Sequence, residues 1–220
     1  MTQLEIEINE LKTEVSNMWA LVMSQVTKAR DSILLYDKDL AREVVLREKR
    51  VNAYELKIDR DCENIFALYC PVAIDLRFLL AALKINNNLE RIGDIADGIA
   101  RYVVEVKKPF DRNVVEATQL MDMFQDSIDV MNDAKTAFET EDTTLARTIF
   151  EKDEVLNSYN MSANRILAEC IRQDIDSTFD AMTILSIIRK LERVGDQCTN
   201  IAEEIIFYIE AKVLKHLPQK

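Results

Sequence analysis

Residues Leu89-Glu90-Arg91-Ile92-Gly93-Asp94 reappear as Leu191-Glu192-Arg193-Val194-Gly195-Asp196, displaced by 102 positions. The match continues in Ile99-Ala100 and Ile201-Ala202. Upstream, Leu40-Ala41-Arg42 answers to Leu145-Ala146-Arg147 and Asn52-Ala53-Tyr54 to Asn157-Ser158-Tyr159, now displaced by 105. The connection between these two segments is therefore about three residues shorter in the second half. A repeat of this length is a supersecondary unit used twice.

The apolar residues around these motifs recur at helical spacing. Leu4, Ile8, Leu11, Val15, Met18, Val22, Ala29 and Ile33 form one stripe. Asp37 and Asp39 offer an N-cap for a second helix running to about Cys70, and Pro71 ends it. A third helix is expected over about 75–106, and the second half repeats the scheme over about 114–138, 142–171 and 177–214. With only 3 glycines and 3 prolines in 220 residues, the chain lacks the turns that a sandwich or barrel needs. The expected fold is all-α: two tandem three-helix bundles, six long helices in all, divided as 1–108 and 109–220.

The charge balance narrows function. Net charge is −11 with 48% hydrophobic residues, so the chain folds, and its acidic surface disfavours direct contact with nucleic acid or anionic lipid. Met1–Glu5 is acidic and polar, unlike a secretory leader, and uncharged stretches such as 78–83 are far too short to span a bilayer. Cys62, Cys70, Cys170 and Cys198 lie in apolar helical patterns with no CxxC spacing, and read as reduced core residues of a cytoplasmic protein.

The carboxylates carry the chemistry. On a helix, Leu83, Asn87, Glu90, Asp94, Asp97 and Arg101 share one stripe beside the apolar face. Glu90 and Asp94 are one turn apart, as are Glu192 and Asp196. The preceding helix offers Glu48, Asn52, Glu55 and Asp59 at the same spacing. Side-by-side packing would gather Glu55, Asp59, Glu90 and Asp94 into an all-oxygen site suited to Mg, Mn or ferric iron. In the second half Asn160 and Asn164 replace Glu55 and Asp59, which weakens that site. Gly93 and Gly195, mid-helix at a cost of about 1 kcal/mol each, suggest that a neighbouring backbone or a bound ion needs the space.

Bland readings compete. Exposed acids on long helices are ordinary, and Arg91 and Arg193 could neutralise their neighbours. Asn86, Asn87 and Asn88 read as a polar helical stretch, and Trp19 as a boundary or interface residue. His216, the only histidine, reads as a surface residue, which excludes Glu-x-x-His di-iron sites and His-based nucleophile pairs. Neither a Gly-rich phosphate loop nor an anion pocket is legible.

Over nearly its whole length the chain resembles the PhoU family of phosphate-transport regulators. The resemblance rests on Pro71-Val72-Ala73-Ile74-Asp75-Leu76-Arg77, on the two Leu-Glu-Arg-x-Gly-Asp copies, and on Asn200-Ile201-Ala202-Glu203. It implies two three-helix bundles bearing a multinuclear metal cluster, of iron or another transition metal, with Mg or Mn as further candidates. The ligands would be Glu90 with Asp94, Glu192 with Asp196, and Glu55 with Asp59. Gly98 and Arg101 depart from the pattern, standing where Asn200 and Glu203 occur in the second half. The resemblance further implies a non-enzymatic negative regulator of the phosphate-starvation regulon and of phosphate uptake. It would be an adaptor between the phosphate ABC transporter ATPase and a sensor histidine kinase, dimeric and reaching the membrane only through protein partners. The rival expectations are a carboxylate-bridged metalloenzyme and a metal-free coiled-coil scaffold.

Overall fold

The computed structural model describes residues 2–214. Among them the backbone forms seven α-helices and no strand: α1 Gln3–Leu34, α2 Lys38–Tyr69, α3 Ala73–Glu105, α4 Arg112–Ala117, α5 Leu120–Thr140, α6 Thr143–Gln173 and α7 Thr178–Glu210. A single 3-10 turn, Ile175–Ser177, precedes α7. Three of the six long helices, α1, α2 and α6, start where short polar side chains satisfy free amides. Thr2 and Glu5 form a reciprocal capping box on α1. Asp37 accepts from the amides of Asp39 and Leu40, and its repeat counterpart Asp142 accepts from those of Thr144 and Leu145. Asp142→Ala should cost about 1 kcal/mol, seen as a melting temperature about 2–4 °C lower.

Two expected boundaries move. The helix expected over 114–138 is broken, because Gln119 takes a left-handed conformation (φ 53°). Thr118 Oγ1 donates back to the carbonyls of Val114 and Val115, closing α4 before α5 begins. The last helix stops at Glu210 rather than at Leu214, since Ala211 is also left-handed (φ 57°). His216 lies outside the described residues.

The six long helices form two three-helix bundles, α1–α3 and α5–α7, joined along α3 against α7 and α1 against α5. One apolar core runs through both. Trp19 is fully buried at that junction, its ring 5.8 Å from Phe138, so the indole is an interface residue between the bundles. Polar ties cross the junction too. Arg77 Nε donates to the Tyr208 carbonyl at 3.1 Å, and Lys84 Nζ lies 3.0 Å from both carboxylate oxygens of buried Glu204. The outer helices α2 and α6 bury only narrow stripes, Ala41 to Ile65 and Ala146 to Leu167. Their margins therefore face both solvent and the inner helices, which is where the acidic stripes lie. Among the described residues no helix is long and apolar enough to cross a membrane.

The cysteines divide. Cys62 and Cys198 are buried, and burial raises both thiols, Cys62 to about 12. Cys170 is half-buried. Cys70 is exposed, contrary to its expected place in the core, because it is the left-handed C-cap of α2 (φ 46°) just before Pro71.

Candidate functional site

The α2–α3 seam brings the four expected carboxylates within electrostatic reach. Burial raises Glu55, and the charges of Asp59 and Asp94 raise it further. Glu90 is pushed up to about 7, first by burial and then by Asp94, Glu55 and Glu48. Asp94 is exposed and Glu90 half-buried, so the cluster sits at the solvent margin of the seam. Asn86 is not merely part of a polar stretch. It is fully buried, and its Nδ2 donates to the Glu55 carbonyl at 3.0 Å and to Asp59 Oδ1 at 2.9 Å. It thereby fixes the Asp59 carboxylate of the cluster. Asn87 hydrogen-bonds Glu55 from the same helix.

The second cluster lies in the α6–α7 seam. Burial and the Asp196 charge raise Glu192, which Asn160 hydrogen-bonds, and burial raises Asp196 against the pull of Arg193. Asn164 is exposed. The missed member is Asp153. It is 9% exposed and pushed up to about 6, first by burial and then by Asp196. Asn157 Nδ2 donates to its Oδ2 at 3.3 Å. The first half holds the counterpart arrangement, Asn52 donating to Glu48. The signal was present: Glu48 stands on the acidic stripe of α2, and an offset of 105 carries it to Asp153. The clusters are thus unequal, with Glu48, Glu55, Asp59, Glu90 and Asp94 on one side and Asp153, Glu192 and Asp196 on the other.

The duplicated glycines have a different cause from the one expected. A β-carbon on Gly93 would lie 3.0 Å from Val51 Cγ1. One on Gly195 would lie 2.8 Å from Leu156 Cδ1, the counterpart of Val51, and 2.2 Å from Asp153 Oδ1. Each glycine makes room for a side chain of the outer helix, not for a backbone or an ion.

The donor chemistry fits a hard cation. All donors are oxygens, several carboxylates are raised first by burial and then by their neighbours' charge, and Asp153 Oδ1 and Asn52 Oδ1 are buried without a hydrogen-bond partner. The geometry is open, however. Among the described residues no three Asp, Glu, His or Cys side chains are grouped closely enough to hold a metal ion. A cation here would draw side chains inward or be completed by water.

A duplicated all-helical body with an acidic seam in each half defines a two-repeat, carboxylate-bearing bundle protein. The family model described as PhoU domain matches it twice, over residues 15–103 and 120–205, and the chain belongs to the PhoU family. A phosphate-specific transport system accessory protein PhoU homolog 1 of Thermotoga maritima is 34% identical over 214 residues, covering 96% of this chain and 90% of that protein. The phosphate-specific transport system accessory protein PhoU of Escherichia coli is 31% identical, covering 98% and 88%. The crystal structure of PhoU from Pseudomonas aeruginosa superposes with a TM-score of 0.88 at 28% identity, covering 96% of this chain and all of that one.

Proposed function

We propose that this chain is a cytoplasmic negative regulator of the phosphate-starvation response and of phosphate uptake. It acts as a metal-binding adaptor between the ATPase of the phosphate ABC transporter and the sensor histidine kinase. The observation that carries this reading is the family match on both halves, with relatives named as accessory proteins of the phosphate-specific transport system. An accessory role is a binding role, and no turnover is assigned to the chain. Long helical faces suit it, and exposed apolar side chains such as Leu46, Leu56 and Met161 on the outer helices offer area for partners or for a second copy.

The metal belongs to the same proposal. Glu55, Asp59, Glu90 and Asp94 would hold it in the first cluster, with Glu48 beside them, and Asp153, Glu192 and Asp196 in the second. A bound cation supplies charge neutralisation there. The chain's own residues do the positioning: Asn86 orients Asp59, Asn52 and Asn157 orient Glu48 and Asp153, and the helix seams exclude part of the water.

Two experiments test the parts separately. Deleting the gene should switch on phosphate-starvation genes in phosphate-rich medium, and the tagged protein should co-purify with the transporter ATPase or the kinase. Normal repression in the deletion strain would overturn the regulatory reading. Protein purified without chelator should contain transition metal, which Glu90→Ala with Asp94→Ala reduces to what the second cluster holds alone. Unchanged metal content in that double variant would remove the first cluster from the proposal.

A further inference from the structure

Between α3 and α7, where the two bundles meet, lies a groove of about 340 Å³ lined by Arg91, Asp94, Ile95, Asp97, Lys190 and Arg193. Among the described residues none of its three cations is in a salt bridge or a hydrogen bond. Arg91 and Arg193 occupy the same place in the duplicated motif, so the fold brings both copies of one residue to one cavity. Their charges also reach the carboxylate clusters, Arg91 acting on Glu90 and Arg193 on Glu192 and Asp196, and Asp94 borders both its cluster and the groove.

Lys190 has no repeat counterpart, because Asn88 stands there in the first half. It is accommodated by a second unduplicated residue, Gly98, which answers to Asn200. A β-carbon on Gly98 would lie 2.6 Å from Lys190 Nζ and 3.2 Å from its Cε. Two departures from the duplication therefore touch, and together they place a half-buried ammonium in the groove.

The wall also holds acids, which selects the kind of anion. Arg101 Nε donates to Asp97 Oδ2 at 2.6 Å, while Asp97 Oδ1 is buried with no donor at all. A carboxylate oxygen repels a bare anion but accepts a hydrogen bond from one that still carries a proton. Asp94, exposed at the rim, can act in the same way.

We propose that this groove binds a protonated tetrahedral oxyanion, inorganic phosphate or a phosphate monoester. Arg91, Lys190 and Arg193 supply the charge, and Asp97 accepts the P–OH hydrogen bond. Sulfate carries no proton at neutral pH and lacks that donor. The inference goes beyond the regulatory reading and stands if that reading falls, because it rests on the groove alone.

The test is calorimetric titration and thermal melting of the full chain at about pH 6, where a phosphate monoester with a second pKa of about 6 is still half protonated, in chelator-containing buffer, which keeps metal-bridged phosphate out. Inorganic phosphate, AMP and sulfate are compared at equal ionic strength. Phosphate or AMP should bind saturably and sulfate should not. Binding of AMP in place of free phosphate assigns the groove to an ester, and binding of free phosphate alone assigns it to the ion. Arg91→Gln with Arg193→Gln should weaken binding at least about tenfold. Arg60→Gln with Arg165→Gln, the same charge change at exposed sites elsewhere, should leave it intact. Gly98→Ala should raise the melting temperature by about 2–4 °C, as alanine favours the helix, yet weaken binding several-fold by displacing Lys190. Absence of saturable phosphate or AMP binding, equal binding of sulfate, or full affinity in the double arginine variant would overturn the proposal.

Discussion

Replacing Asp153 by asparagine should stabilise the metal-free protein at pH 8 by about 1–3 kcal/mol. The ordinary value of this carboxyl is 3.8, and in the fold it is pushed up to about 6 by burial and by Asp196, Glu154 and Glu192. Between those values the folded state holds the proton more tightly than the unfolded chain. Stability therefore falls as pH rises from about 4 to 6 and stays low above 6. At about 1.4 kcal/mol per pH unit the whole difference is about 3 kcal/mol, and relaxation of nearby water and side chains lowers the realised value. Asparagine keeps the shape, still accepts from Asn157, and removes the charge. Glu90 acts in the same direction over a higher window, from 4.5 to about 7. The opposite behaviour belongs to Glu210, held at about 2 by Lys212, Thr143 and Arg147, whose contribution is lost only in stronger acid. Denaturant melts in chelator from about pH 4 to 8 should show the parent losing stability up to about pH 7 and then levelling, and Asp153→Asn losing less. Added cation should stabilise the parent at pH 8 more than the variant, since it relieves the same repulsion. A variant no more stable than the parent at pH 8 would show that the buried charge is already neutralised by the fold.

That a charge-removing change should stabilise the protein shows where sequence reasoning reached and where it stopped. Helical period and the shortage of Gly and Pro decided the fold, because both act locally along the chain. The duplication decided the two bundles. Glu55, Asp59, Glu90 and Asp94 were legible because they share stripes on helices that turn out to be neighbours. What escaped was set by tertiary contact. Along its own stripe of α6 Asp153 is followed only by Asn157, Asn160 and Asn164, and only the packing of α6 on α7 buries it beside Asp196. Asn86 looked like one of three polar residues until the seam closed over it. The break at Gln119 had no Gly or Pro to announce it. The groove of Arg91, Lys190 and Arg193 joins residues about a hundred positions apart across a junction that no local pattern encodes.

The two motif glycines, identical in sequence, should respond differently to the same substitution. Gly195→Ala should destabilise the protein by about 1–3 kcal/mol, lowering its melting temperature by several degrees. Gly93→Ala should change stability by less than about 1 kcal/mol. In a helix alanine is better than glycine by about 1 kcal/mol at either site, so the difference comes from what each methyl meets. At Gly93 it meets Val51 Cγ1 at 3.0 Å, a contact that a few tenths of an ångström relieve, and the gain in helix propensity offsets that strain. At Gly195 it falls 2.2 Å from Asp153 Oδ1 and 2.8 Å from Leu156 Cδ1, two atoms of the buried face of α6. Either α6 moves off α7 or Asp153 leaves its position near Asp196, and a fully packed core resists the first. Gly195 therefore acts as a positioning residue for a carboxylate of the second cluster. Asp153→Ala should recover part of the loss in the Gly195→Ala background, because it removes the nearer of the two clashing groups while leaving Leu156 in place. A double-mutant cycle should give a coupling of at least about 0.5 kcal/mol. Additive effects, or a Gly195→Ala protein as stable as the parent, would mean that the seam has slack and that its glycine is not what sets Asp153 in place.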